Sequence, residues 1–159
     1  MTSTSYSPRS PFLHTAIYCR GKKGLQHCPI PYLTHGSLAF QVQSCSNTAK
    51  FLAHRVGGAE NVIFPDDETT FEQLHARIKR TIEILESLEE NSMDGAETKE
   101  IILQTGMGNF QFTGQDYVTM FVIPNFHFHL STGYCLLRSM GVDVGALDYM
   151  KDVFHKVEE

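Results

Sequence analysis

The chain has 159 residues, of which 42% are hydrophobic and 19% are charged, and its formal net charge is −5. This length and composition predict a globular chain with a buried core. The acidic balance argues against nucleic acid or an anionic membrane as a partner, and no apolar run reaches the roughly 18 residues of a membrane span. The four cysteines lack C-x-x-C spacing and no signal peptide is recognisable, so we expect a cytoplasmic protein with free thiols.

The start of the chain is rich in Ser, Thr and Pro, which predicts a disordered leader over residues 1–11. A single helical domain is predicted to follow over residues 12–159. Residues 12–27 favour a short first helix, although its two glycines weaken it by about 1 kcal/mol each relative to alanine.

Two amphipathic helices are predicted next. In residues 37–56 the apolar side chains recur on one face at 100° per residue, Ser37 is a suitable N-cap, and two glycines follow the last turn. The second helix opens with the acidic run at residues 66–68 and a capping box from Thr69 or Thr70, and it ends near Leu88. Its apolar residues recur every three or four positions.

The rest of the chain predicts a hairpin and a final helical region. Two β-prone runs flank a glycine-rich turn at about residues 99–112. The helical region that follows contains Pro124, which favours either a kink or two helices, 114–122 and 124–140. One more helical turn is predicted within residues 149–157.

The densest group of polar side chains lies in that final helical region. His127 and His129 are about 200° apart on a helix, so they cannot share one metal ion. The periodicity turns His129 towards the interior, with Asn125 one turn earlier, and leaves His127 in solvent. A buried imidazole needs a hydrogen bond. His129 is therefore either a core histidine bonded to Asn125, Gln41 or a carbonyl, or a group that contacts a metal or substrate.

Several motifs together carry a family resemblance over roughly residues 37–149: FQVQ (40–43), DETTF (67–71), FQFTGQDY (110–117), PNFHFH (124–129) and TGYCLLRSMGV (132–142). In these motifs the chain resembles the domain-of-unknown-function family nineteen-ninety-three, within the DinB/YfiT-like superfamily of candidate metalloenzymes. The resemblance implies an all-α fold. The fold that it implies is a DinB-like four-helix bundle with a short β-hairpin before the last helix, and in this chain the first helix is expected to be shortened.

The resemblance also implies a metal site that this chain matches incompletely. Related superfamily members bind a divalent metal through three histidines, one in the second helix and an H-x-x-x-H pair in the last. Here Asn125 and His129 stand where the pair belongs, and the second helix offers Gln41 or Gln43 but no histidine until His54. The cofactor is therefore unknown: a divalent metal is left open, with an incomplete ligand set, and no metal ligand is assigned.

Two hypotheses for function follow. The first is a small transferase, hydrolase or isomerase, in which His129 and Asn125 are catalytic and a small molecule contacts the polar residues Gln41, Gln115, Asp116, Tyr117 and Thr132. The second is a non-catalytic bundle with a degenerate metal site, which binds a small molecule or a protein through its many phenylalanines. A shortened first helix would leave apolar surface uncovered, which favours a homodimer. Cys45 and Cys135 are both expected to face the interior, where a thiol is a poor nucleophile.

Overall fold

The computed structural model describes residues 36–151, 153 and 154. The leader predicted for residues 1–11 and the short first helix predicted for residues 12–27 lie outside these residues. The described part is mostly helical and contains one two-stranded antiparallel hairpin. The four-helix bundle stays a prediction, because its first helix falls on residues that are not described.

The elements follow one another in a simple order along the chain. They are α1 (Leu38–Arg55), α2 (Phe71–Glu86), β1 (Glu100–Thr105), β2 (Gly108–Thr113), α3 (Gly114–Asp116), a π-helical segment (Tyr117–Val122), α4 (Ile123–Ser139) and α5 (Ala146–Tyr149). Among these described helices, none has the length and apolar character to cross a bilayer.

Both amphipathic helices begin where the sequence predicts. The Ser37 hydroxyl accepts a hydrogen bond from the Phe40 amide at 3.1 Å and caps α1. At α2, Thr70 and Gln73 form the predicted capping box. This helix ends at Glu86, two residues before the predicted end. The apolar face of α2 packs against that of α1 through Leu74, Ile78, Ala39 and Val42 at one end and Leu85, Ala49 and Ala53 at the other.

A buried arginine fixes the loop that joins these two helices. The Arg77 guanidinium of α2 forms salt bridges to Asp66 at 2.6 Å and to Glu68 at 2.7 Å. It also donates to the Asn47 side-chain oxygen of α1 at 2.9 Å. Both acidic residues belong to the loop, so one side chain ties the loop to both helices. Asp66 adopts a positive φ of 56°, which this pairing helps to hold.

The hairpin covers the other end of α1. Ile101 pairs with Phe112 and Leu103 with Phe110 across the two strands. The inward residues Ile101 and Leu103 form a core cluster with Val56 and Tyr117. The prediction of a hairpin at about residues 99–112 is confirmed within one residue at each end.

The chain passes through Pro124 without leaving a helical path. Proline lacks an amide hydrogen, and in a regular α-helix its ring collides with the carbonyl four residues earlier. The preceding turn is a π-helix, in which the Ile123 amide donates to the Val118 carbonyl five residues back. In place of the expected kink, the helix changes from π-helical to α-helical geometry at the start of α4.

One more helical turn in the described residues spans Ala146–Tyr149, and it meets the predicted segment 149–157 at Tyr149. Residues 152 and 155–157 of that segment lie outside the described residues, so the prediction for them stays a prediction. The Arg138 guanidinium donates to the Val144 carbonyl at 3.1 Å, and the Ser131 and Tyr149 hydroxyls lie 3.2 Å apart. These contacts fold the segment back onto α4, a tertiary effect that the local pattern does not contain.

Gly114 provides a test of how tightly the loop before the hairpin packs against the start of α3. A Cβ atom at this position would collide with the Ala96 carbonyl oxygen, whereas a Cβ at Gly106 would have no atom within 4 Å. We expect Gly114→Ala to lower the free energy of unfolding by about 1–3 kcal/mol, the usual cost of overpacking. Gly106→Ala is the matched control and should leave it nearly unchanged. Urea unfolding measures both, and equal stability of the two variants would contradict this packing.

Candidate functional site

The candidate site lies where α4 packs antiparallel to α1. Later residues of α4 contact earlier residues of α1. The paired positions are Asn125 with Thr48, the Phe126 carbonyl with Cys45, His129 with Gln41, and Gly133 with Gln41 and Leu38. Gly133 has no side chain, and a Cβ there would come within 3.6 Å of the Gln41 Cβ. That separation is ordinary van der Waals contact, so Gly133 lies against α1 beside His129.

His129 faces α1, as the periodicity predicts, and its partner there is Gln41. Its Nδ1 lies 2.8 Å from the Gln41 side-chain oxygen. Because an amide oxygen only accepts, Nδ1 carries the proton and Nε2 holds the lone pair. Gln41 is 2% exposed, so it forms a rigid support for the ring. Nε2 has no hydrogen-bond partner among the described residues.

The surroundings of His129 are apolar. The rings of Phe40 and Phe128 stand edge-on to the imidazole, with centroid distances of 5.7 and 5.1 Å. Burial lowers the pKa of His129 below its ordinary value, and no charged group contributes to that shift. The ring is consequently neutral at neutral pH and available as a proton acceptor at Nε2.

Asn125 is held one turn earlier by a second polar contact. Its amide donates to the Thr48 hydroxyl at 2.8 Å, and that hydroxyl donates to the Ser44 carbonyl at 2.7 Å. Thr132, three residues after His129, donates to the Phe128 carbonyl within its own helix. Asn125 and Thr132 thus lie near His129, while His127 is exposed as predicted.

The other three predicted contact residues lie elsewhere. The Tyr117 hydroxyl accepts from Arg55 at 2.6 Å, and its ring is fully buried between the hairpin and the end of α1. Arg55 comes fourteen residues after Gln41 in α1, a rise of about 21 Å. Gln115 and Asp116 directly precede Tyr117 in the chain and are exposed. We expected Gln115, Asp116 and Tyr117 to line the same pocket opening as His129, and this separation does not fit that expectation.

The described residues do not fit the metal site of the related proteins. One ring nitrogen of His129 is bound to Gln41, and the Asn125 amide is turned to Thr48, which leaves Nε2 as one good donor. In residues 36–151, 153 and 154, no three His, Cys, Asp or Glu side chains converge. A divalent transition metal prefers several nitrogen or sulfur donors. We therefore derive no chemistry through a metal at this position.

The two described cysteines differ in placement. Cys45 is buried, donates weakly to the Phe126 carbonyl at 3.6 Å, and burial raises its pKa to about 12. Cys135 is exposed, which corrects the expectation that both face the interior. The helix projection failed for Cys135 because no described element covers that side of α4.

One group of residues was missed by reading the sequence. Lys50 and Arg77 are both buried, on the side of α1 that faces α2 and the loop. A charged residue within an amphipathic helix usually indicates a solvated position. For Arg77 the sequence offered one signal, because the basic residues of α2 follow a loop rich in acidic residues. For Lys50 it offered none.

The fold is that of a DinB-like helical protein. The crystal structure of a DinB family member protein from Shewanella denitrificans is similar, with a TM-score of 0.74 and 26% sequence identity. The match covers 92% of this chain and 89% of that one. No curated protein matches the chain significantly.

The family assignment is direct. The sequence profile described as "Domain of unknown function (DUF1993)" matches residues 34–150, and the chain belongs to this family. The resemblance seen in the sequence motifs is thereby confirmed.

The Gln41–His129 hydrogen bond predicts one tautomer of the ring. In long-range ¹H–¹⁵N NMR spectra at neutral pH, we expect the Nδ1-protonated form of His129. Gln41→Leu removes the acceptor and should release the ring to a mixture of tautomers, since the partner of one nitrogen sets which nitrogen is protonated. A dominant Nε2-protonated form in the unmodified protein would contradict the assignment.

Burial of His129 also predicts how stability depends on pH. The unfolded imidazole, with a pKa of about 6.5, binds a proton more readily than the folded one. The contribution of the neutral ring to the free energy of unfolding is therefore fully present above about pH 6.5 and is lost as pH falls below that value. In urea unfolding, His129→Gln should show a weaker fall in stability between about pH 6.5 and 5 than the unmodified protein. His127→Gln, at the exposed neighbour, should keep the original dependence.

Proposed function

We propose that this protein is a small enzyme in which His129 accepts a proton from a small-molecule substrate through Nε2. The observation that carries the proposal is the hydrogen bond between His129 Nδ1 and Gln41, which directs the lone pair to Nε2. A neutral imidazole of fixed tautomer is suited to general-base work near neutral pH. Burial lowers its pKa, which keeps it in the neutral form.

Gln41 is the positioning residue in this proposal. A carboxylate at the same place would stabilise the imidazolium and raise the pKa of the ring, as in hydrolytic triads. The uncharged amide orients the ring without that effect. The arrangement consequently favours a base that takes up a proton briefly and returns it, a step common to transferases, hydrolases and isomerases.

The apolar neighbours suggest the kind of molecule that reaches His129. Phe128 is 65% exposed beside the ring, and Phe40 borders its other side. Burial is the cause of the lowered pKa of His129, and no charged side chain contributes to that shift. An uncharged substrate with an apolar portion fits best. Asn125 and Thr132 are the nearby polar groups proposed to orient it.

A second candidate function is binding without catalysis. The incomplete metal ligands and the exposed ring of Phe128 favour it, because aromatic surface beside a polar anchor is typical of small-molecule sites. In this reading His129 and Gln41 supply a hydrogen bond to the ligand and no chemistry. A homodimer is a further prediction of the same reading.

The test compares His129→Gln with His127→Gln, two substitutions on the same helix. Each purified protein is incubated with a library of small esters, amides, thioesters and enolisable ketones, and products are measured by mass spectrometry. We expect turnover by the unmodified protein and by His127→Gln, and a loss of at least about 100-fold in His129→Gln, the usual contribution of a general base.

Two outcomes would argue against the proposed enzyme. Equal turnover by His129→Gln and the unmodified protein would remove the catalytic role of the ring. Saturable binding of a compound without conversion, weakened by His129→Gln, would instead support the binding function. Circular dichroism of each variant establishes that the helices are retained.

A further inference from the structure

The polar side chains of α4 around His129 offer hydrogen-bond acceptors to a ligand. The ring contributes Nε2, because Nδ1 donates to Gln41. Thr132 uses its hydroxyl hydrogen on the Phe128 carbonyl at 2.7 Å, so its oxygen can only accept from a further group. Positions that offer lone pairs select ligands that supply hydrogens.

The orientation of the Asn125 amide follows from a chain of hydrogen bonds that ends on α1. The Thr48 hydroxyl donates its single hydrogen to the Ser44 carbonyl at 2.7 Å. It can therefore only accept from Asn125, whose Nδ2 lies 2.8 Å away. A reversed amide would place two acceptors against each other. Because Nδ2 and Oδ1 lie on opposite sides of the amide carbon, Oδ1 is directed away from Thr48.

Asn125 Oδ1 and His129 Nε2 are both open acceptors. Neither atom forms a hydrogen bond with any described residue. The two side chains are half-buried, and neither atom belongs to the fully buried polar atoms that lack a partner in the described part of the chain. Each atom therefore retains contact with solvent, where a ligand can reach it.

The spacing of the two open acceptors suits one amino group. Asn125 and His129 are four residues apart on α4, which places their Cβ atoms on one face about 5–6 Å apart. The two N–H bonds of an –NH2 group diverge, and at about 2.9 Å per hydrogen bond they reach acceptors about 5 Å apart. A single primary amino nitrogen can therefore donate to both side chains.

The surroundings of the open acceptors favour an uncharged aromatic amine. Burial disfavours the protonated ring of His129 and so lowers its pKa, and the same desolvation disfavours an ammonium group. The rings of Phe40 and Phe128 border the imidazole, and Phe128 is 65% exposed. These rings offer apolar contact to an aromatic ligand. An arylamine joins such a ring to a neutral –NH2 group.

We propose that the ligand of this site is a neutral arylamine whose –NH2 group donates one hydrogen to His129 Nε2 and the other to Asn125 Oδ1. Asn125 is then the residue that distinguishes a primary amine from its N-alkylated forms. This assignment deepens the proposed function, since it rests on the His129 tautomer used there, and it names the class of small molecule for the same site.

The experiment compares aniline, N-methylaniline and N,N-dimethylaniline, which carry two, one and no N–H donors. The affinity of the full chain for each compound is measured at neutral pH by ¹H–¹⁵N NMR titration. Each lost hydrogen bond should weaken binding roughly threefold to tenfold. The apolar area of the compounds rises along the same series, so apolar contact alone predicts the opposite order.

Four results with the unmodified protein would overturn the proposal. They are equal affinities for the three compounds, the opposite order, no detectable binding of aniline, and tighter binding of benzylamine, whose amino group is charged at neutral pH. This comparison needs no variant, so it does not depend on whether a substituted chain folds.

Asn125→Leu tests the second acceptor. It should weaken the binding of aniline roughly threefold to tenfold and leave that of N-methylaniline nearly unchanged, because the single N–H of that compound is bound by His129. His127→Gln, at the exposed neighbour on the same helix, should change neither affinity. An equal loss for both compounds in Asn125→Leu would indicate altered packing and would contradict the role of Oδ1.

Binding and turnover distinguish this proposal from the proposed enzyme. If the three compounds bind in the expected order while His129→Gln retains full turnover, the catalytic role of the ring is wrong and the ligand class stands. If turnover depends on His129 while the compounds bind in the order of their apolar area, the ligand class alone is wrong.

Discussion

The close contact between α1 and α4 is the constraint on which the rest of the structure depends. Polar pairs bridge the two helices at Gln41–His129 and Asn125–Thr48, and Gly133 lies against α1 beside them. Buried polar groups cost free energy unless they are hydrogen-bonded. Each pair therefore fixes the register of α4 against α1, because a shift by one residue would leave buried donors or acceptors without partners. The same requirement that fixes the register also fixes the orientation of the His129 ring.

Helix α1 packs against three different parts of the structure. One face meets α4 and carries Gln41. The opposite face meets α2 and the loop, where Lys50 lies among aromatic rings and arginines. Its last turn meets the hairpin, and there Arg55 donates to Tyr117. A helix that contacts other elements on several sides buries polar residues as well as apolar ones, and the buried side chains of Gln41 and Thr48 are accordingly hydrogen-bonded.

Much of the local structure followed from the sequence. The Ser37 cap, the Thr70 capping box and the hairpin turn each depend on residues within a few positions of one another, so they can be recognised without the fold. The inward direction of His129 also followed, because periodicity alone fixes which face of a helix a residue occupies. The exposed Cys135 was not anticipated, since the burial of a helix face depends on which elements cover it. The helical turn at Ala146–Tyr149 was not predicted at that position for a related reason: its contacts with α4 hold it there.

The sequence by itself determined the family, the order of the elements and the identity of the histidine that faces inward. Only the tertiary structure decided that Gln41 is the partner of that histidine, that Tyr117 belongs to a separate core, and that Lys50 lies among arginines. The physical reason is distance along the chain. Helix caps and turns join residues three or four apart, whereas the Gln41–His129 bond joins residues 88 positions apart. A pairing at that separation forms only when the helices pack, and no local pattern encodes it.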